Sequence, residues 1–279
     1  MKEFLKNKFK IIRGFFSLNI ATFQNILRIR STTLSNFMYG AKREYLKFIM
    51  DNCGVKIISL GTLSDEKNED YYLPIHLCRS GSVPWYDLFC LAVLVRVNQP
   101  WAIFEIGSYE GLGSLVMCNN CFNQILYSLD LPDSAEHNVI LSQFASKHQS
   151  INSRYESGKY FRIIRPEVQI NQLFGDSWNF VFSSYHDLID FFFIDGAHTY
   201  QYVLKDTISA LRCTRAGGMI VWHDVTNSQV LNVILQLTSF CTIFYIDRSN
   251  ICFTKIDSKP TAALENLRKK IEKYETRNE

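Results

Sequence analysis

Phe104-Glu105-Ile106-Gly107-Ser108-Tyr109-Glu110-Gly111-Leu112-Gly113 is a short apolar run that breaks into glycines where a helical pattern begins. A strand that turns directly into a helix is the unit from which open α/β sheets are wound. Glycines in that turn let backbone approach a ligand closely. The spacing is an acidic residue, one residue, Gly, three residues and Gly. A pyrophosphate loop would read Gly-x-Gly-x-x-Gly, so this turn suits a ligand without phosphates.

Working outward, further apolar runs bounded by turn residues predict strands at 101–106, 125–129, 168–174, 191–194 and 219–222. Helical spacing at 111–121, 135–147 and 200–213 supplies crossovers, and only the link between the third and fourth strands lacks one. The sequence thus predicts a Rossmann-like, doubly wound, mostly parallel sheet of about seven strands. Runs at 242–246 and 251–255, joined by Asp247-Arg248-Ser249-Asn250, predict an antiparallel hairpin that closes it. Residues 261–274 read as a terminal helix fraying into a charged tail.

Ahead of this core, Pro84 opens an apolar helix-like stretch to Val97, and the polar string Ser64 to Asp70 reads as a surface loop. The organisation expected is an N-terminal basic amphipathic and linker region at 1–83, a central domain at 84–258, and a helix and tail at 259–279. The first fifty residues hold ten Lys or Arg against two Glu. Phe4, Leu5, Phe9, Ile12 and Phe16 recur at helical spacing among Lys6, Lys8, Lys10 and Arg13. Such an extension would lie on an anionic membrane surface, or pack on its own domain or on a sister subunit as a homo-oligomer. A basic arm of this kind is not the spread basic face of a nucleic-acid binder, so no nucleic acid is expected.

With 47% hydrophobic and 20% charged residues, the 279-residue chain can bury a sizeable core. No run reaches the roughly 18 apolar residues of a membrane span, and the lysines near the N-terminus interrupt any secretory signal. Most of the eight Cys lie in apolar runs, where Cys acts as a small buried hydrophobe, and Cys118 and Cys121 have no second pair at zinc-like spacing. A cytoplasmic, reducing location follows as the expectation.

Chemistry-bearing residues gather at predicted strand ends. Asp130 closes the second strand 25 residues after Glu105, where an acidic side chain in such folds grips a ribose diol; the other reading is a turn former before Pro132. The run Asp190-Phe191-Phe192-Phe193-Ile194 delivers Asp195 and His198, and Gly217-Gly218-Met219-Ile220-Val221-Trp222 delivers His223 and Asp224. Two carboxylates and two imidazoles therefore meet at one edge. His198 is the candidate general base, because imidazole titrates near neutrality and follows a carboxylate by three residues; alternatively it caps the helix near Tyr200.

These motifs, in this order from about Pro84 to Lys255, resemble class I S-adenosylmethionine-dependent methyltransferases. The resemblance is especially to a bacterial subgroup with an Asp-Gly-x-His strand end and a Gly-Gly-x-Ile-x-x-His-Asp strand, similar to macrolide sugar O-methyltransferases. The resemblance implies that S-adenosylmethionine (SAM) is held by Glu105, Gly107, Ser108, Gly111 and Gly113, with Asp130 on its ribose. It places Asp176 and Ser177 beside the adenine, although either would also serve as an N-cap. It implies Asp195 at the cofactor and in catalysis with His198, on a small-molecule acceptor such as a sugar hydroxyl. Some relatives also bind Mg²⁺ through carboxylates matching Asp195 and Asp224; here His223 stands where the sugar enzymes have an acidic residue, a poorer partner for a hard cation. Two alternatives stand beside this reading. One is a non-catalytic protein on the same fold; the other is an NAD-dependent oxidoreductase, against which the missing Gly-x-Gly-x-x-Gly counts.

Overall fold

Strand β2 (Ala102–Ile106) and strand β5 (Ile189–Ile194) are buried along their whole lengths and run side by side, parallel, with Phe104 opposite Phe192. Because alternate residues point to opposite faces, a strand covered on both sides is apolar except where a buried polar side chain has partners, as Glu105 and Asp190 have. Phe104, Ile106, Phe192 and Ile194 enter one core; Ile103, Phe191 and Phe193 enter the other. That is why this part of the sequence shows continuous apolar runs without alternation.

The computed structural model describes residues 31–63, 70–78, 82–122, 124–132, 157–164, 169–258 and 261–278. The predicted helices at 4–16 and 135–147, and most of the 64–70 loop, lie outside them. Along the chain come α1 (Ser31–Asn52), β1 (Lys56–Ile58), α2 (Trp85–Asn98), β2, α3 (Leu112–Asn119), β3 (Ile125–Asp130), α4 (Lys159–Ile164) and β4 (Ile170–Phe174). Then follow β5, α5 (Tyr200–Cys213), β6 (Thr214–Trp222), α6 (Ser228–Leu237), β7 (Phe244–Ile246), β8 (Cys252–Lys255) and α7 (Thr261–Asn278).

The sheet has eight strands in the order β1-β7-β8-β6-β5-β2-β3-β4. β8 is antiparallel to both its neighbours, and the other pairings are parallel. The chain winds outward from β2 to β4, then returns to β5 on the other side of β2. The β2–β5 boundary is therefore a switch point, and the crevice beyond the C-terminal ends of these strands is where such sheets bind ligands. One face carries α1, α5, α6 and α7 through Leu46, Met50, Leu204, Leu211, Ile234 and Leu267; the other carries α2, α3 and α4.

Three differences from the sequence reading have physical causes. β1 adds a strand beside β7, drawn from the stretch read as linker; three residues with Lys56 exposed carry too little alternation to be seen. The hairpin turn is as expected, with Arg248 left-handed (φ 67°), but β8 slots between β6 and β7, and β1 beyond β7 takes the edge of the sheet. Gly217 and Gly218 lie within β6 rather than in a turn before it. A Cβ on Gly218 would stand 2.6 Å from Thr214 Cγ2 and 2.9 Å from the Asp190 carbonyl oxygen, beside the register shift between β5 and β6.

Candidate active site

The turn after β2 is fixed from three sides. Gly107 is left-handed (φ 91°), and a Cβ there would lie 2.2 Å from the Asp195 carbonyl oxygen. The backbone that approaches Gly107 is thus the end of β5, and the Asp195 N–H in turn donates to the Ile106 carbonyl at 2.9 Å. Tyr109, also left-handed at φ 49°, donates its N–H to Asp130 Oδ2 at 2.7 Å, and Asp130 Oδ1 accepts from the Leu131 N–H at 2.8 Å. The third side is the start of α4: Gly158 donates to the Tyr109 carbonyl at 2.8 Å, Ser157 Oγ to Asp130 at 3.2 Å, and Phe161 packs where a Cβ on Gly111 would fall.

Below this turn lies Glu105, 1% exposed. It accepts from Ser128 Oγ at 2.7 Å and from Ser114 Oγ, and Gly113 is a glycine because a Cβ would meet Glu105 Oε1 at 2.8 Å. Burial pushes its carboxyl up to about 8, against the pull of the two serine hydroxyls. Ser108 is also buried and pairs with Ser128. Glu105, Ser108 and Gly113 thus form the floor of the turn, while Gly107 and Gly111 are its packed corners. Asp130, half-buried at the strand end, is the polar group that this loop presents.

On the far side of β3, Asp176 follows β4 as a turn former. Its Oδ1 accepts from the Trp178 N–H at 2.9 Å, and its Oδ2 from the Tyr202 hydroxyl at 3.0 Å. Ser177 is nearly buried beside Asp206 of α5, a wholly buried carboxyl that burial pushes up to about 7.

At the C-terminal ends of β5 and β6 the four predicted residues do converge. His198 does not cap α5, whose N-cap is Thr199; its Nε2 instead lies 3.2 Å from Asp224 Oδ2 and 3.6 Å from Asp195 Oδ1. His223 is 5% exposed, with Nδ1 2.9 Å from Asp195 Oδ1 and Nε2 3.1 Å from Asp87 Oδ2. A ring with a carboxylate at each nitrogen is held as imidazolium, since only the cation donates from both. Burial works against that charge, but Asp195, Asp87 and Asp224 outweigh it, so His223 is raised well above the usual histidine value. Burial likewise opposes the charged forms of its neighbours. Even so, Asp195 is held down to about 2 by His223 and His198, and His198 is raised by Asp195 and Asp224. Asp224 keeps a left-handed backbone (φ 53°) and a side chain 38% exposed, so it faces the crevice.

Asp87 escaped the sequence reading. It sits in the first turn of α2, 1% exposed, and also accepts from the Asn250 N–H at 2.9 Å and Asn250 Nδ2 at 2.8 Å. The available signal was a lone acidic residue in the apolar string Trp85-Tyr86-Asp87-Leu88-Phe89-Cys90-Leu91. Buried charges are kept only with partners, so such a residue announces one elsewhere in the fold.

Among the described residues, Asp195, His198 and Asp224 form a group whose ligand atoms all lie within 4.8 Å of one another. Two carboxylates and one imidazole suit Mn²⁺, Fe²⁺ or Zn²⁺ better than Mg²⁺, which prefers oxygen donors.

Residues 104–225 match the family model described as a methyltransferase domain. No curated protein sequence matches the chain. Solved structures with a similar course include an O-methyltransferase involved in tomaymycin synthesis in Streptomyces achromogenes, in complex with SAM. It is 14% identical, with a TM-score of 0.47 over 63% of this chain and 82% of that one. A methyltransferase of Podospora anserina bound to S-adenosylhomocysteine (SAH) is 11% identical, with a TM-score of 0.46 over 63% and 80%. An O-methyltransferase from Bacillus cereus in complex with SAH is 12% identical, with a TM-score of 0.44 over 77% and 90%.

Proposed function

We propose that the protein is a class I SAM-dependent methyltransferase that methylates a hydroxyl of a small molecule, such as a sugar, with His198 taking the proton; the match of residues 104–225 to a model of a methyltransferase domain supports this reading. The observation that carries the base assignment is the position of His198. Its Nε2 lies between Asp224 and Asp195 at the β5–β6 edge of the switch-point crevice, and the polar end of β3, Asp130, opens onto the same crevice.

Bound SAM would supply an electrophilic methyl on a sulfonium, so this chain needs only to align the acceptor and remove one proton. An anionic Asp130, oriented by two backbone N–H groups, is preorganised to accept from a ribose diol. Asp195 and Asp224 raise the basicity of His198 and stabilise the imidazolium formed when it accepts the hydroxyl proton. The neighbouring His223, already cationic and clamped by Asp87, keeps Asp195 ionised for that task.

The grouping of Asp195, His198 and Asp224 supports a second reading, in which these three hold a divalent cation that lowers the pKa of the acceptor hydroxyl when bound. The proton-based reading is favoured because the cluster already contains the His223 cation at 2.9 Å from Asp195. Turnover measured against pH in the presence of a chelator separates the two. The base predicts full activity with chelator and a rate that rises with pH through a value above the ordinary imidazole range. Loss of activity on chelation, restored by Mn²⁺ or Zn²⁺, would assign the three residues to a metal instead.

A further inference from the structure

The start of α4 lies across the turn that follows β2. The Gly158 N–H donates to the Tyr109 carbonyl and the Tyr160 N–H to the Glu110 carbonyl, each at 2.8 Å. The Phe161 ring fills the space over Gly111 and Gly158, so the absence of side chains at both positions lets the helix settle this close. This seating carries Ser157, fully buried one residue before Gly158, to the end of β3, where its Oγ lies 3.2 Å from Asp130 Oδ2. A hydroxyl with no access to water must find its partners within the protein.

Those partners set the direction of the hydroxyl. Gln172 lies on β4 in register with Ser128, whereas Asp130 is in register with Phe174, two residues further on. The side chain that Gln172 meets is Ser157: its Nε2 donates to Ser157 Oγ at 2.7 Å. Arg162 of α4 in turn donates to Gln172 Oε1. A guanidinium has donors only, so it fixes which end of the amide faces it, and the amide nitrogen is left to Ser157. A hydroxyl has one proton, and with Gln172 donating to its oxygen that proton is directed at Asp130. Donors thus run one way from Arg162 through Gln172 and Ser157 to the carboxylate, and members of such a chain polarise and strengthen one another.

We infer that Ser157 is a positioning residue of the cofactor site, its hydroxyl aimed by Gln172 and Arg162 so that Asp130 keeps the rotamer that accepts from the ribose of SAM. The inference rests on the methyltransferase reading above and extends it to side chains outside the glycine turn and the strand ends. The Tyr109 N–H reaches Asp130 Oδ2 from the β2 turn, the Leu131 N–H reaches Oδ1 from beyond β3, and Ser157 adds a contact from the approach to α4. Three segments therefore fix the plane of one carboxyl group. Two of these donors are backbone groups; Ser157 is the one that a side-chain substitution removes. A carboxylate already held in place binds a diol without the entropic cost of being ordered at that moment. Arg162, exposed on α4, acts on the same carboxylate at a distance, through two intervening side chains.

Calorimetry on the full chain, with SAH and with its analogue S-(2′,3′-dideoxyadenosyl)homocysteine, tests the assignment, because only SAH has ribose hydroxyls for Asp130 to accept from. Ser157→Ala should weaken SAH binding by roughly fivefold and shift the dideoxy analogue by no more than about 1.5-fold. Arg162→Ala, a change at an exposed residue that keeps the test open if the buried one disturbs folding, should weaken SAH by roughly threefold with the analogue again unmoved. In an Asp130→Ala background, Ser157→Ala should have no further effect on SAH. A merely structural role would weaken both ligands in parallel and would persist without Asp130; either result overturns the inference, as does SAH affinity unchanged in both variants. Those outcomes leave the methyltransferase reading standing, since the wild type still binds SAH. Wild-type protein that does not bind SAH overturns both together.

Discussion

The ends of β2 and β5 that meet at the switch point use their glycines and polar residues differently. After β2 the residues pack closely on one another: Gly107 clears the Asp195 carbonyl, Gly113 clears Glu105, and Glu105 is enclosed by Ser114 and Ser128. After β5 and across to β6, the polar groups are brought within 3.6 Å of one another, and Asp224 reaches solvent. A glycine spacing is a statement about backbone packing, whereas a cluster of partly exposed charges is a statement about chemistry. The two regions should therefore respond to mutation in different currencies, stability for the first and turnover for the second.

The largest effect is expected at Gly107. Alanine there must occupy space 2.2 Å from a carbonyl oxygen in a left-handed backbone, so Gly107→Ala should lower unfolding free energy by about 4 kcal/mol in denaturant titration. A variant of near-normal stability that has merely lost SAH affinity would mean that Gly107 serves the ligand and not the fold. Asp87→Asn tests the buried support of the second region, where Asp87 joins His223 to Asn250 of the β7–β8 turn. It leaves the His223 cation without one carboxylate, and should cost about 3 kcal/mol of stability.

His198→Ala belongs to the opposite class. Turnover should fall by roughly a hundredfold or more, with melting temperature and SAH affinity nearly unchanged. Stability lost in step with activity would place His198 with Gly107 as a structural residue.

The smallest effect is a change of slope. Glu105 has a folded pKa of about 8 against an ordinary 4.5. Between those values the unfolded chain gives up its proton and the folded one retains it, so stability falls as pH rises from about 4.5 to about 8. Glu105→Gln keeps a hydrogen-bonding side chain without the titration, and its stability should vary less over that window. Asp206, raised to about 7, leaves a residual slope of the same sign. An unchanged slope in the variant would show that Glu105 ionises normally in the folded protein.

The core was legible because buried parallel strands must be apolar on both faces, and runs such as Phe191-Phe192-Phe193 can satisfy little else. Asp195, His198 and Asp224 were legible because strand ends at a switch point bring together residues distant in sequence. What the sequence hid lay in partnerships without local pattern. Asp87 finds His223 across 136 positions, and the half-buried three-residue β1 joins the sheet only because α1 leads the chain back to β7. The loop after β2 was placed correctly, but the close neighbour of Gly107 is the Asp195 backbone, and spacing alone does not distinguish that from a ligand.

SAH calorimetry on the wild-type protein, His198→Ala and Asp130→Ala tests the central claim most directly. The account predicts binding at about 1 μM or tighter for the wild type, the same affinity within about threefold for His198→Ala, and a loss of at least roughly tenfold for Asp130→Ala, which lacks the carboxylate proposed to accept from the ribose. No heat with SAH, together with clear binding of NAD, would contradict it.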